Sequence, residues 1–250
     1  MTAVHDAPAE PLLECRGITV RFGGHIALDD VDVTATPGQV TGLIGPNGAG
    51  KTTLFNVICG LLTPSTGVVR LVGRDVNRLA PYKRARLGLA RTFQRLELFG
   101  LLTVRENVMV AADLRARYAH EEHPDVEAII ERVGLTARID DRVDALPTGQ
   151  ARLVEIARAL AARPRVLLLD EPASGLDDSE SDQLGQLLRS LSAEGIAVLL
   201  VEHDVQLVME VCDLIHVLDF GRIIAVGDAD TIRTDESVLT AYLGASLETK

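Results

Sequence analysis

The 250-residue sequence is poor in the residue types that build aromatic or cross-linked cores. Aromatic side chains make up only 3% of it, and tryptophan is absent. The core must therefore consist mainly of Val, Leu, Ile and Ala, which suits buried parallel strands and packed helices. The three cysteines, Cys15, Cys59 and Cys212, lie far apart, in neither a disulfide nor a zinc pattern. We therefore expect a protein of a reducing compartment.

Long hydrophobic runs and an excess of positive charge are also lacking. No run of 18 consecutive apolar residues occurs, so no membrane-spanning helix is expected. No basic segment followed by an apolar one stands at the start, so no secretory signal is expected. The net charge of −11 disfavours nucleic-acid binding by the whole surface. With 47% hydrophobic residues, the chain is long enough to bury a substantial core.

Strand-like and helix-like segments alternate along the chain, which predicts a mostly parallel sheet. We expect residues 1–11 to form a flexible tail and residues 12–250 a single domain. Short alternating segments from 12 to 33, interrupted by Gly23 and Gly24, predict antiparallel strands and a turn. The strands expected in the central sheet cover residues 39–44, 166–169 and 196–201, with a closing hairpin over 214–226.

A different composition, rich in Arg, Glu and Ala, extends over residues 96–165. Apolar residues at Val126, Ile129, Ile130 and Val133 have helical spacing there, which predicts an inserted helical subdomain. The C-terminal tail, residues 228–250, is expected to be partly helical.

A complete phosphate-binding loop lies between a predicted strand and a predicted helix. Its pattern is Gly45-x-x-x-x-Gly50-Lys51-Thr52. The glycines let successive backbone N–H groups face inward at a helix N-terminus, where they bind anions. The Lys51 ammonium adds a charge for the β- and γ-phosphates, and the Thr52 hydroxyl can bind Mg²⁺. The alternative, a glycine-rich turn with an incidental lysine, is far less favoured in this context.

Polar residues follow two other apolar strands. Asp170 and Glu171 come directly after one strand, and His203 follows the next. The carboxyl ends of parallel strands meet at one sheet edge, where ligands bind. There Asp170 would hold Mg²⁺, directly or through water, and Glu171 would polarise a water for attack on the γ-phosphorus. His203 could hydrogen-bond a γ-phosphate oxygen. Each residue alone could be merely structural, and the phosphate loop is what favours the functional interpretation.

The motifs together resemble those of ABC-type ATPases in order and spacing. They are the phosphate loop, Gln94, Leu146-Pro147-Thr148-Gly149-Gln150, Asp170-Glu171, Ser174-Gly175-Leu176-Asp177 and His203. The resemblance covers residues 12–243. It implies the α/β fold of a P-loop NTPase: a mostly parallel central sheet, an antiparallel β subdomain and an inserted α-helical subdomain.

The resemblance also implies an ATP-hydrolysing subunit that powers a membrane transporter, with ATP and Mg²⁺ as ligands. It assigns catalytic roles to Gln94, Glu171 and His203, and metal binding to Thr52, Gln94 and Asp170. Phe22 would stack on adenine. The other residues expected to contact nucleotide are Gly45, Pro46, Asn47, Gly48, Ala49, Gly50, Lys51, Thr52, Thr53, Pro147, Thr148, Gly149, Gln150 and Asp177.

Implied partners are integral membrane permease subunits, a second ATPase subunit, identical or paralogous, and an external solute-binding protein. The implied location is the cytoplasmic face of the cell membrane. Three segments resemble the ATPases of branched-chain amino acid importers in particular: 90–99, 201–209 and 241–244. The lipopolysaccharide-export ATPases share parts of the last segment.

The signature segment departs from the family's usual Leu-Ser-Gly-Gly-Gln. Pro147 lacks both the hydroxyl and the N–H of the usual serine. Thr148 carries the one hydroxyl of the motif and has two possible roles: it could cap the following helix, which is the favoured one, or bind phosphate.

Two other functions are less favoured by the sequence. A soluble ABC protein acting on DNA or ribosomes would usually carry two ATPase units or a long coiled coil. A regulatory module that binds nucleotide without hydrolysing it is disfavoured by Glu171 and His203. Residues 74–95 contain seven Lys or Arg against one acid, and the favoured interpretation is a solvated helix face. A surface for acidic lipid or a partner subunit is the alternative.

Overall fold

The computed structural model describes residues 10–247, so residues 1–9 of the predicted tail lie outside the described chain. The strands, in chain order, are β1 (Leu13–Phe22), β2 (His25–Ala35), β3 (Val40–Ile44), β4 (Thr66–Leu71), β5 (Arg74–Asp75), β6 (Leu89–Arg91), β7 (Val166–Asp170), β8 (Ala197–Val201), β9 (Leu214–Asp219) and β10 (Arg222–Gly227). The helices are α1 (Lys51–Cys59), α2 (Pro81–Arg86), α3 (Val104–Ala119), α4 (Val126–Arg132), α5 (Thr148–Ala161), α6 (Asp178–Ala193), α7 (Val205–Val211), α8 (Ala229–Thr234) and α9 (Glu236–Leu247).

Two sheets organise these elements. The central sheet has the order β10-β9-β3-β8-β7-β6, and its neighbours are parallel except in the edge hairpin of β9 and β10. The second sheet, β2-β1-β4-β5, is antiparallel throughout. Both sheets and the inserted helices agree with the predicted fold. None of the helices within residues 10–247 combines the length and apolar character needed to cross a bilayer.

The central strands are buried on both faces, and alternate residues belong to different cores. In β7, Leu167 and Leu169 pack with helices α3 to α7, whereas Val166 and Leu168 pack with α1 and the antiparallel sheet. Side chains of a strand alternate between the two faces of its sheet, so one apolar run can supply both cores. This double burial explains why the central strands are nearly continuous in apolar residues.

The helical insertion begins with a capping box. The Thr103 hydroxyl accepts a hydrogen bond from Glu106 N, and the Glu106 carboxylate accepts one from Thr103 N, so α3 starts at Val104. Val126 and Ile130 of α4 are buried, as their helical spacing predicts.

The predicted solvated face over residues 74–95 is wrong for two of its arginines. Arg84 is 1% exposed and donates to the carbonyl oxygens of Val57 and Ile58, both at 2.7 Å. These carbonyls end α1, and a cation there satisfies them and complements the helix dipole. Arg91, described below, is buried against Asp170. The segment therefore supports the core instead of facing water throughout.

Candidate functional site

Two positions in the loop after β3, Gly45 and Gly50, require glycine. Gly45 and Gly50 have φ of 150° and 113°, in the region that favours glycine. A Cβ on Gly45 would lie 1.9 Å from the Leu218 carbonyl oxygen, and one on Gly50 would lie 2.8 Å from that of Ala27. Helix α1 begins directly after Gly50 without a side-chain cap. Its first N–H groups are therefore available to an anion.

Lys51 lies inside this loop. Its Nζ donates to the carbonyl oxygens of Gly45 at 2.6 Å and Pro46 at 2.9 Å. Burial lowers the pKa of the ammonium, and the nearby carboxylates of Glu171 and Asp170 oppose that shift. The loop thus holds a largely buried cation that donates to two backbone carbonyl oxygens and lies near two carboxylates.

Three residues predicted to be catalytic meet beside the loop. Gln94 Nε2 donates to both carboxylate oxygens of Glu171 at 3.2 Å, and His203 Nε2 lies 2.7 Å from Glu171 Oε1. They line a cavity of about 280 Å³ together with residues 47–53 and Val201. Glu171 has φ of 53°, a conformation that costs energy for a residue with a Cβ and recurs at functional sites.

Asp170 is almost fully buried and has a cationic partner. Its Oδ2 lies 2.9 Å from Arg91 Nη2, and its backbone N–H donates to Thr92 Oγ1 at 3.2 Å. The other guanidinium nitrogen, Arg91 Nη1, donates to Asn56 Oδ1 at 2.8 Å. Arg91 also stacks on the Phe93 ring at 4.8 Å. One guanidinium therefore joins the end of β7 to the phosphate-loop helix.

The donor set fits a magnesium ion. Thr52, Gln94 and Asp170 offer hydroxyl, amide and carboxylate oxygens, the hard ligands that Mg²⁺ prefers. Within residues 10–247 no cluster of three or more His, Cys, Asp or Glu residues could hold a metal alone. Mg²⁺ is usually held by one or two protein ligands plus substrate phosphates, so this sparse set is suitable.

The signature segment lies apart from the loop cavity of its own chain. A Cβ on Gly149 would lie 2.7 Å from the Gly175 carbonyl oxygen, so residues 147–150 pack on the turn before α6. They do not line the loop cavity, and neither does Phe22, whose ring is half exposed. Asp177 caps α6 by accepting from Glu180 N at 2.8 Å. The structure thus brings together the loop, Gln94, Glu171 and His203, but not Phe22, the signature or Asp177.

The predicted capping role of Thr148 is wrong. Helix α5 begins at Thr148 itself, and the cap position is Pro147, which provides no side-chain hydrogen bond. A residue inside the first turn cannot accept the N–H bonds that a cap satisfies. The Thr148 side chain is exposed, and its hydroxyl makes no hydrogen bond within the described chain.

Sequence reasoning missed three charged residues that position the site. Arg152 of α5 donates to the Phe93 carbonyl oxygen at 2.6 Å and to that of Gln94. Glu202 accepts from Ala173 N at 2.7 Å and His203 N at 3.1 Å, and burial raises the pKa of its carboxyl. Arg91 is the third. No local pattern marks such residues, because their partners lie up to 79 positions away in sequence.

The sequence is similar to ATP-binding subunits of several transporters. A model of the ABC transporter family matches residues 28–174. The high-affinity branched-chain amino acid transport ATP-binding protein BraF of Pseudomonas aeruginosa is 40% identical, across 94% of this chain and 99% of its own length. The equivalent LivG of Escherichia coli is 37% identical with the same coverage. The lipopolysaccharide export ATP-binding protein LptB of Haemophilus influenzae is 33% identical over 93% of this chain and 97% of its own.

Solved structures support the same family. An ATP-binding cassette of an ABC transporter in its ADP conformation superposes with a TM-score of 0.83 and 31% identity, covering 94% of this chain and 100% of that one. A dimeric bacterial ABC transporter cassette gives 0.77 and 26%, covering 87% and 98%. The first of these structures is an ADP-bound form and the second is a dimer, and the predicted P-loop NTPase fold is confirmed. The chain therefore belongs to the ABC transporter family, as an ATP-binding subunit that hydrolyses ATP to power transport.

Proposed function

We propose that this subunit powers an importer of branched-chain or related amino acids. BraF and LivG, which are named for that transport, match 94% of the chain. LptB matches 93% of the chain at the lower identity of 33%. The order of these similarities supports import over lipopolysaccharide export.

The position of Glu171 is the observation that supports ATP hydrolysis. Its carboxylate lies at the loop cavity and is hydrogen-bonded to both Gln94 and His203. A carboxylate there takes a proton from the attacking water, and its two neighbours fix its orientation. The N–H groups of the loop and the Lys51 ammonium bind the phosphates. His203 contacts a γ-phosphate oxygen from the same sheet edge. Phe22 stacks on the adenine.

Thr52, Asp170 and Gln94 would hold Mg²⁺. The bound ion would neutralise charge on the β- and γ-phosphates. Arg91 orients the Asp170 carboxylate toward the loop helix, because the guanidinium bonds to both Asp170 and Asn56.

A second ATPase subunit would complete each site. Residues 147–150 and Asp177 lie outside the loop cavity of their own chain, which supports a role for them at the nucleotide of another subunit. Helix α5 begins without a side-chain cap and without an acid in its first turn, which leaves a positive dipole end for phosphate.

Residues 12–250 act as one ATPase unit, with residues 96–165 as its inserted helical subdomain. The unit works at the cytoplasmic face of the membrane with permease subunits, which cross the bilayer, and with an external solute-binding protein.

The test is to isolate the native complex from membranes through a tag on this chain. We expect permease subunits to co-purify, and the reconstituted complex to take up labelled leucine only with ATP. A matched complex carrying Glu171→Gln should assemble but not transport. Recovery of a ribosomal or DNA-repair assembly would contradict the transporter function. Assembly with permeases but no amino-acid uptake would contradict the substrate class alone.

A further inference from the structure

Five arginines line one cavity on the side of the molecule away from the phosphate loop. The cavity has a volume of about 360 Å³, and its lining contains no acidic residue. The chain as a whole has 25 basic against 36 acidic residues, so such a concentration of positive charge is unusual for it. The arginines come from β5, α2, α3 and the segment leading into β7; they are Arg74, Arg86, Arg115, Arg163 and Arg165.

The charge in this cavity is only partly compensated by the protein. Glu121 pairs with Arg115 at 2.9 Å and with Arg163 at 3.3 Å. Across residues 10–247, no carboxylate forms an ion pair with Arg74, Arg86 or Arg165. Three guanidinium groups are therefore left to attract an external anion.

Contacts within the described chain position two of these arginines. Arg86 lies over the Tyr118 ring at 4.3 Å and the Tyr82 ring at 5.3 Å. The Gly88 carbonyl oxygen accepts from Arg165 N at 2.8 Å. Gly88 has φ of 97°, and a Cβ there would lie 3.0 Å from Arg165 Cγ. The guanidinium of Arg86 and the backbone of Arg165 are therefore held in position by their neighbours.

We propose that this cavity binds a phosphate-bearing polyanion, separately from the nucleotide. Guanidinium forks match phosphate oxygens with paired hydrogen bonds, and the volume suits a small ligand. Arg165 lies just before the start of β7, whereas Asp170 ends that strand, so the two sites are roughly 16 Å apart along it. The ligand would contact both α3 of the insertion and the segment that leads into β7 of the central sheet. The inference goes beyond the proposed function and does not depend on the transported solute.

In the first experiment the phosphate loop is filled with nucleotide, and binding of a second anion to the cavity is then measured. The purified chain is saturated with ADP in the absence of free Mg²⁺, and sodium tripolyphosphate is added in a calorimeter. We expect one further site per chain, weakened by added salt because the contacts are charged. A parallel arm measures co-sedimentation with vesicles of phosphatidylglycerol and phosphatidylcholine against phosphatidylcholine alone.

The test variant is Arg74→Gln with Arg165→Gln, two exposed residues whose side chains make no ion pair in the described chain. The matched control is Arg117→Gln with Arg233→Gln, which removes the same charge from exposed positions outside the cavity. We expect the test variant to bind at least about tenfold more weakly and the control to bind like the wild type. Arg86→Gln alone provides a second variant if the double one unfolds.

The outcomes distinguish the source of the anion. If the test variant weakens tripolyphosphate binding and the wild type does not bind vesicles, the ligand is a soluble polyphosphate. If the wild type binds phosphatidylglycerol vesicles and the test variant binds them more weakly, the ligand is a lipid headgroup. No binding of either probe by the wild type, or an equal loss in the test and control variants, overturns the proposal.

Discussion

At the residue scale, Glu171 is held by two hydrogen-bonding neighbours, Gln94 and His203. Glutamine at position 171 keeps the shape of the side chain but cannot take a proton from water. We expect Glu171→Gln to bind ATP, to hydrolyse it roughly 10²- to 10⁴-fold more slowly, and to accumulate as an ATP-bound dimer. Size-exclusion chromatography with ATP, alongside a turnover assay, tests this. A monomer with normal turnover would show that another group acts as the base.

Arg91 is the residue whose loss should disturb the site from within. Arg91→Met leaves the buried Asp170 carboxylate without its cation, and breaking a buried pair costs about 3–5 kcal/mol. Arg91→Lys keeps the charge but lacks the fork that reaches both Asp170 and Asn56. We therefore expect lysine to restore part of the free energy of unfolding and little of the turnover. Denaturant unfolding and ATPase assays measure the two effects.

The control for Arg91 is Arg95→Met, at an exposed position in the same basic segment. It should leave the free energy of unfolding within about 0.5 kcal/mol of the wild type. Equal unfolding free energies for Arg91→Met and the control would refute a structural role for the pair.

His216 gives the stability a pH dependence of known sign. It is 5% exposed, its Nδ1 has no hydrogen-bond partner within the described chain, and burial lowers its pKa from 6.5 to about 4. Between these two pKa values His216 binds a proton in the unfolded chain but not in the folded chain. The stability due to neutral His216 is complete above pH 6.5 and decreases as the pH falls toward 4.

The variant His216→Leu should remove this dependence. Between about pH 7.5 and pH 5 the wild type should lose about 2 kcal/mol more of its free energy of unfolding than the variant does. Urea unfolding of both proteins at each pH tests this. Equal losses would mean that His216 is protonated in the folded state.

At the element scale, a substitution at the beginning of α5 should affect turnover without affecting stability. Thr148 is exposed and does not cap the helix. We expect Thr148→Ala to change the free energy of unfolding by less than about 0.5 kcal/mol. If the hydroxyl binds the partner's phosphate, turnover of the assembled transporter should fall roughly tenfold or more, because a hydrogen bond to a charged group is lost. Unchanged turnover with unchanged stability would leave phosphate binding to backbone groups alone.

The elements differ in how well the sequence predicts them. Strands β3, β7 and β8 are apolar runs with turn residues or charged residues beyond them, and α6 has leucines at helical spacing, so each pattern is complete within its own segment. Elements β6 and α2 are only three and six residues long and have no such pattern. Their positions depend on Arg84 and Arg91, whose partners belong to α1 and β7. Tertiary contacts of this kind leave no local signal.

The same distinction holds for the site. The phosphate loop, Asp170, Glu171 and His203 follow strands at one sheet edge, and that rule alone predicts that they lie close together. The structure agrees for the loop, Glu171 and His203. The supporting contacts of Arg152 and Glu202 depend on where the insertion and the turn before α6 pack, which the local sequence pattern does not determine.

At the scale of the whole molecule, a single chain contains a loop cavity and a signature that do not meet. Two inactive variants should therefore complement each other. Lys51→Ala removes the loop cation, and Gly149→Arg disrupts the signature, where even a Cβ would lie 2.7 Å from Leu176 Cδ2. In an equal mixture, one site of each mixed dimer would be intact, so we expect roughly a quarter of the wild-type sites to be active.

The measurement is the ATPase rate of each variant alone and of the mixture, after folding is checked by circular dichroism. Mixing Lys51→Ala with itself at double concentration is the control. Absence of recovery from two folded variants would contradict sites shared between identical chains.

The alternation of β7 between the two cores constrains how this molecule can vary. Insertion or deletion of one residue within Val166–Leu169 would exchange Leu167 and Leu169 with Val166 and Leu168, reversing the faces that they fill. The same change would rotate Asp170 away from Arg91 and send Glu171 toward the opposite face. Only changes by two residues preserve the orientation of both carboxylates, and these would shift the sheet edge by about 7 Å. The length of β7 therefore fixes both cores and both carboxylates at once, whereas a substitution within the strand changes only the face on which that side chain lies.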